Sequence, residues 1–194
     1  MTAAAVLTPS EVAELAGASI RVVEKAIEER VLSVRFGSSP AMGRRSRRML
    51  PVYSVVYAAT IAGLGLKLSI AHKRELVRGI ARRPRGKRVK VAPAVEIDVG
   101  QLVGDALERT EKYRAARDAF IVVDDEIKGG TPVIRGTRMT VYSVLGRVTH
   151  GEPIDDILGD NPDLSRAALE AAVVYARTHP MVGRPGGRPW ADAL

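Results

Sequence analysis

Apolar residues recur along this chain in short, capped bursts. In the first half, Leu7-Thr8-Pro9-Ser10-Glu11 places Thr8 before Pro9 with Glu11 three residues on, a capping box with proline in the first helical turn. Val12, Leu15 and Ala16 then supply a short stripe, and Gly17 ends the helix. Ser19 caps a second helix with apolar residues at Ile20, Val23, Ile27 and Val31, spaced three and four apart. Leu32 to Phe36 reads as a short β run, Gly37 to Gly43 as a turn-rich loop, and Met49 to Tyr53 as the returning strand. Helical spacing follows over about Val52 to Ala62 and Leu68 to Ala81.

The second half repeats the style. Val95 to Val99 has the look of a strand, and Gln101 to Ala119 of a helix presenting Leu102, Val103, Ala106, Leu107 and Tyr113. Phe120 to Val123 is a β run closed by Asp124-Asp125-Glu126. Three more helices are expected. One covers about Thr140 to His150, one starts at Pro153, and one is capped by Ser165 and carries Ala168, Leu169, Ala172, Val173 and Ala176. Most are too short to stand alone and must pack together.

Arg82 to Pro93 interrupts this pattern with proline, glycine and many cations, and reads as a linker. The organisation expected is therefore mainly α with short β hairpins, in two small domains. Residues 1–81 form the first, 82–93 a basic linker, 94–180 the second with a β arm, and 181–194 a Pro/Gly-rich tail that neither a regular helix nor a central strand accommodates.

Charge sharpens the picture. The chain carries a net charge of +8 over 194 residues, but residues 44–90 alone hold fourteen Lys/Arg against Glu75. The flanking segments are mildly acidic. Such a block either stays solvated or meets a polyanion, of which nucleic acid is the commonest. The chain has no Cys, which excludes disulfides, thiolate zinc sites and cysteine nucleophiles. Met1 to Ser10 is unlike a secretory signal, and the weakly polar stretch Leu50 to Leu66 falls short of the ~18 to 20 apolar residues of a membrane span. A cytoplasmic protein is expected.

Two short helices, a Gly-containing turn and a basic hairpin over Thr8 to Arg48 resemble the winged helix-turn-helix of MerR-like and excisionase-like regulators. In that arrangement Ser19, Arg21, Val22 and Lys25 at the start of the second helix would reach base edges. Arg35, Arg44, Arg45, Arg47 and Arg48 on the wing would meet phosphates. Glu24, Glu28 and Glu29 on the same helix oppose this, and are expected on its far side. Helical hairpins with capped helices also occur for purely structural reasons.

Ile121 to Pro180 is similar to a small antitoxin family that occurs beside PIN-domain toxins. The likeness lies in GGTPVIRGTR, GEPIDDIL, NPDLS and the Ala-rich last helix. It implies a helical, helix-turn-helix-like domain with a dimerising β arm, binding its own operator DNA and a PIN-domain ribonuclease, as VapB-type antitoxins do. Gly129-Gly130 before Pro132 demands a turn with unusual backbone angles, and Thr137 or Thr140 is placed to cap the next helix. Arg135 and Arg138, which flank Gly136, fit two uses. One is contact with a phosphate or partner, and the other, favoured, is bonding to carbonyls and acids such as Asp124 and Asp125.

Arg184, Arg188 and Trp190 in the tail are interface-type residues. An Arg there could pair with the acidic metal site that a PIN-type nuclease carries. A tail without a role is the alternative. No cofactor, metal site or enzymatic activity is expected. His72, His150 and His179 form no ligand pattern and read as surface or helix-end residues, and no GxSxG nucleophile motif is present. The function expected is thus an autorepressing homodimeric antitoxin, the alternative a stand-alone dimeric transcriptional regulator.

Overall fold

The structure is a computed structural model and describes residues 5–39, 41 and 43–181. It is mainly helical, with short antiparallel strand pairs. Strand β1 (Ala5–Leu7) leads into α1 (Pro9–Ala16) through the Thr8 capping box. Thr8 Oγ1 accepts from Glu11 N at 3.2 Å, and Glu11 Oε2 accepts from Thr8 N at 2.7 Å. Gly17 closes α1 at φ 60°, a left-handed turn that glycine enters without strain.

Helix α2 (Ile20–Glu28) follows its Ser19 cap, and buries Val23 and Ala26. Ile20, expected on the apolar stripe, is 41% exposed. Strands β2 (Arg35–Ser39) and β3 (Gly43–Pro51) form a longer hairpin than the apolar residues alone suggested. Its register pairs Arg35 with Met49 and Phe36 with Arg48. β3 also pairs with β1, so it is the middle strand.

Helix α3 (Tyr53–Gly63) is buried from Ser54 to Thr60, and α1, α4 (Ile70–Arg82), α5 and α6 all pack on it. An apolar helix that is hydrophobic on every side belongs at such a centre. A second centre is α9 (Arg166–Thr178), against which α1, α6, α7 and α8 pack.

Two expectations need correction. The basic segment 82–93 is not a bare linker. It contains β4 (Arg88–Ala92), paired with β5 (Val95–Asp98), with Val89 and Val91 buried and Arg88 and Lys90 exposed. The density of cations hid a two-residue alternation. The apolar cluster runs unbroken through this segment, from Leu7 and Val23 through Val89 and Ile97 to Leu169 and Ala176. The helix expected over 101–119 is two helices, α5 (Val99–Val103) and α6 (Ala106–Phe120), broken at Gly104 with φ 54° and ψ −129°. That backbone region is open to glycine.

β6 (Ile121–Val122) pairs with β7 (Val133–Ile134) across a 3-10 turn at Lys128–Gly130. α7 (Val141–Thr149) starts at its Thr140 cap, α8 (Ile154–Asp160) at Pro153, and α9 at Ser165. Among the described residues no helix is long and apolar enough to cross a membrane.

One buried polar knot ties the two halves. Arg117 of α6 places Nη1 2.9 Å from Glu11 Oε1, and the two side chains are 2% and 0% exposed. Tyr113 OH donates to the same oxygen at 2.6 Å, and Arg117 Nη1 donates to Val6 O at 3.0 Å. Burial, and then the Glu11 carboxylate, push the Tyr113 hydroxyl well above its ordinary pKa.

Candidate nucleic-acid interface

The start of α2 and the β2–β3 hairpin share a surface. Ser19 Oγ accepts from Arg21 N at 3.3 Å, which fixes the first turn. Because Val23 and Ala26 face inward, Ser19, Arg21 and Lys25 are left exposed together, and Val22 is half-buried. An exposed row of one hydroxyl and two cations at a helix start is suited to reading base edges and phosphates.

Two of the glutamates that opposed this reading are paired. Arg48 on β3 makes a two-pronged contact with Glu24, Nη1 to Oε2 at 3.0 Å and Nη2 to Oε1 at 2.7 Å. Lys73 of α4 bonds Glu29 at 2.6 Å, and Arg74 donates to the Glu29 carbonyl at 3.2 Å. Lys25 stands 3.9 Å from Glu29. Glu28 is exposed. Arg48, expected to meet phosphate, is therefore committed to Glu24, and it ties the hairpin to α2 instead. Proximity along the sequence gave no signal of this pair, which spans 24 positions.

The other hairpin cations divide. Arg35 and Arg47 are exposed. Arg47 acts electrostatically on Tyr142, Tyr175 and His179, so it sits where the hairpin meets α7 and α9. Arg44 and Arg45 belong to β3 by their backbone, and their side chains lie outside the described residues. Phe36 on β2 is 76% exposed, a large apolar group beside the basic row that the sequence reading passed over.

The GGTPVIRGTR segment is organised by its own backbone. Gly129, Gly130 and Gly136 have φ of 61°, 77° and 77°. Asp124 Oδ1 accepts from Glu126 N at 3.0 Å, so this carboxylate shapes the turn and is not bonded to the nearby arginines. Arg135 Nε donates to Ala119 O at 2.8 Å, and Arg138 is exposed. Pro132 O accepts from Val141 N at 3.0 Å. Thr140 is the helix cap, while Thr137 Oγ1 donates to Ile134 O and accepts from Met139 N. Arg184, Arg188 and Trp190 lie outside the described residues. Among the described residues no three His, Asp or Glu converge as metal ligands. His179 departs from the expected surface position: it ends α9 but is 5% exposed.

Residues 121–176, from β6 to the body of α9, match the family model described as "Protein of unknown function (DUF433)". A relative, "Uncharacterized protein y4eO" of Sinorhizobium fredii (strain NBRC 101917 / NGR234), is 36% identical over 88 residues. The match covers 45% of this chain and 39% of that protein. A solved structure, titled as the X-ray crystal structure of Rv2018 from Mycobacterium tuberculosis, aligns over 88% of this chain and 97% of that one. Its sequence identity is 15% and its TM-score 0.35, too low to define a common fold.

Proposed function

We propose that α1, α2 and the β2–β3 hairpin form a winged helix-turn-helix that binds DNA. The observation that carries this reading is the exposed row Ser19, Arg21, Lys25, with Glu24 and Glu29 drawn into ion pairs behind it. Without those pairs the helix would present its carboxylates unscreened to phosphate. In this reading α2 lies in the major groove, and Arg35, Arg44, Arg45 and Arg47 contact flanking backbone. Arg48 serves by holding Glu24. The setting we propose is that of an antitoxin: a homodimer that represses its own operon and neutralises a PIN-domain ribonuclease through Arg184, Arg188 and Trp190. That part rests on the resemblance of residues 121–180 alone.

The DNA reading is tested by binding to the chain's own upstream region, measured across a salt series. Affinity should fall steeply with salt, by about one log unit per log unit of salt for each phosphate contact. Arg21→Ala with Lys25→Ala should weaken binding and blunt discrimination between sites, and Arg35→Ala should weaken all sequences alike. Salt-independent binding, or unchanged footprints in these variants, would refute it. The antitoxin setting is tested separately by co-expression with the product of the adjacent reading frame. Growth rescue that is lost on cutting after Pro180 supports it, and a harmless neighbour that does not co-purify refutes it.

A further inference from the structure

A cavity of about 1030 Å³ opens where the hairpin, the Asp124–Pro132 turn, α7 and the end of α9 meet. It is of the size that holds small ligands. His179 lines it and is 5% exposed, with its ring stacked on Tyr175 at 4.1 Å between centroids. Nδ1 lies 3.1 Å from Tyr175 O and 3.0 Å from Thr178 Oγ1. A carbonyl only accepts, so Nδ1 carries the proton. In the neutral ring Nε2 is then a bare acceptor, and it has no partner among the described residues. Burial first, with the Arg47 charge adding to it, favours the neutral ring. An unpaired acceptor buried this deeply costs stability unless something donates to it.

Three other lining features define what that donor belongs to. Arg47 brings a cation to the cavity and has no carboxylate partner among the described residues. Asp125 lies on the opposite turn, where its Oδ1 would stand 2.9 Å from a Cβ at Gly130. Glycine at position 130 thus lets the carboxylate close over the turn. A simple anion would meet Arg47 but be repelled by Asp124, Asp125 and the bare Nε2. A simple cation would be repelled by Arg47. A metal ion lacks the ligand set.

We propose that this cavity binds a small zwitterion of the amino-acid type, its carboxylate on Arg47 and its ammonium donating to His179 Nε2 and Asp125. The site uses the glycine pair of the family motif, which DNA binding leaves unexplained, and its occupancy does not depend on DNA.

The test uses the full chain labelled with ¹⁵N at histidine, with His179 assigned from His179→Gln. The common L-amino acids are added one at a time at millimolar concentration, with acetate and methylammonium as the two half-ligands. In the free protein Nε2 should show the shift of an unprotonated nitrogen. At least one amino acid should move that signal saturably and raise the melting temperature, while neither half-ligand does. Arg47→Gln, at an exposed position, should fold normally and weaken binding about tenfold, the loss of one charge-assisted contact. A protonated Nε2 in the free protein, no response to any amino acid, half-ligands that act equally well, or undiminished affinity in Arg47→Gln would each overturn the proposal.

Discussion

Replacing Glu11 by alanine should cost far more than the loss of a helix cap. The carboxylate holds Thr8 N through one oxygen, and Tyr113 OH and Arg117 through the other. Removing it forfeits half the capping box, about 1 kcal/mol. It also strands Arg117, whose side chain is 2% exposed. Breaking a buried pair this way costs roughly 3–5 kcal/mol. Arg117 keeps a second carboxylate, Asp118, at 2.8 Å, and that side chain is 46% exposed. The lower end of the range is therefore expected, about 3 kcal/mol in all. With a urea slope of about 3 kcal/mol per molar, the midpoint should fall by about 1 M. Far-UV circular dichroism and tyrosine fluorescence should follow one transition, because the knot ties β1 and α1 to α6. The triple change Glu11→Leu, Tyr113→Phe and Arg117→Met removes every member at once. It should recover about 2 kcal/mol relative to Glu11→Ala, since what hurts is an orphaned charge and not the absence of a pair. A loss below about 1 kcal/mol in Glu11→Ala would refute the reasoning, because it would mean that water reaches Arg117.

Other outcomes follow from single contacts. A methyl at Gly79 would overlap Val89 Cγ1, and Val89 is buried in β4. Gly79→Ala should therefore lose about 1–3 kcal/mol in denaturant melts despite the better helix former. Gly146→Ala in α7 meets nothing within 4 Å, and should gain up to about 1 kcal/mol. Arg48→Ala should change stability by less than about 1 kcal/mol, as its pair with Glu24 is part-exposed. The same variant should weaken DNA binding, and adding Glu24→Gln should restore it; failure to restore would mean that Arg48 itself touches phosphate. His179 has its pKa lowered by burial, so the unfolded chain takes up the proton first. Its contribution to stability is full above the ordinary histidine value near 6.5, and is lost as pH falls from there toward the folded pKa. His179→Gln should flatten the melting temperature across that window.

Much of the helical frame was legible because it is written locally. Thr8 with Glu11, Ser19, Thr140 and Ser165 each announce a helix start within three or four residues. What was not legible is what a residue does twice. Glu11 closes a capping box, and that role gives no sign of its second partner 106 positions away. Arg48 reads as one wing cation among several until the hairpin register sets it against Glu24. β4 was hidden for another reason: in Arg88-Val89-Lys90-Val91 the alternation is present, but the surrounding charge outweighed it. Gly104 lay inside an apparently continuous helical stripe, and only its backbone angles show the break.

The long reach between α1 and α9 bears on how the chain is made. Arg177 meets Glu14 across 163 positions, and Arg117 meets the Val6 carbonyl across 111. Ribosomal synthesis delivers α1 first, yet the surfaces it packs against emerge last. Until α6 and α9 have left the exit tunnel, Val12, Leu15 and Glu11 have no complete core to enter. High sequence separation of this kind slows folding, because loop closure is paid before the contacts form. The nascent first half therefore spends its lifetime on the ribosome as a substrate for chaperones and proteases, and the amount of protein present should follow translation rate and protease activity closely.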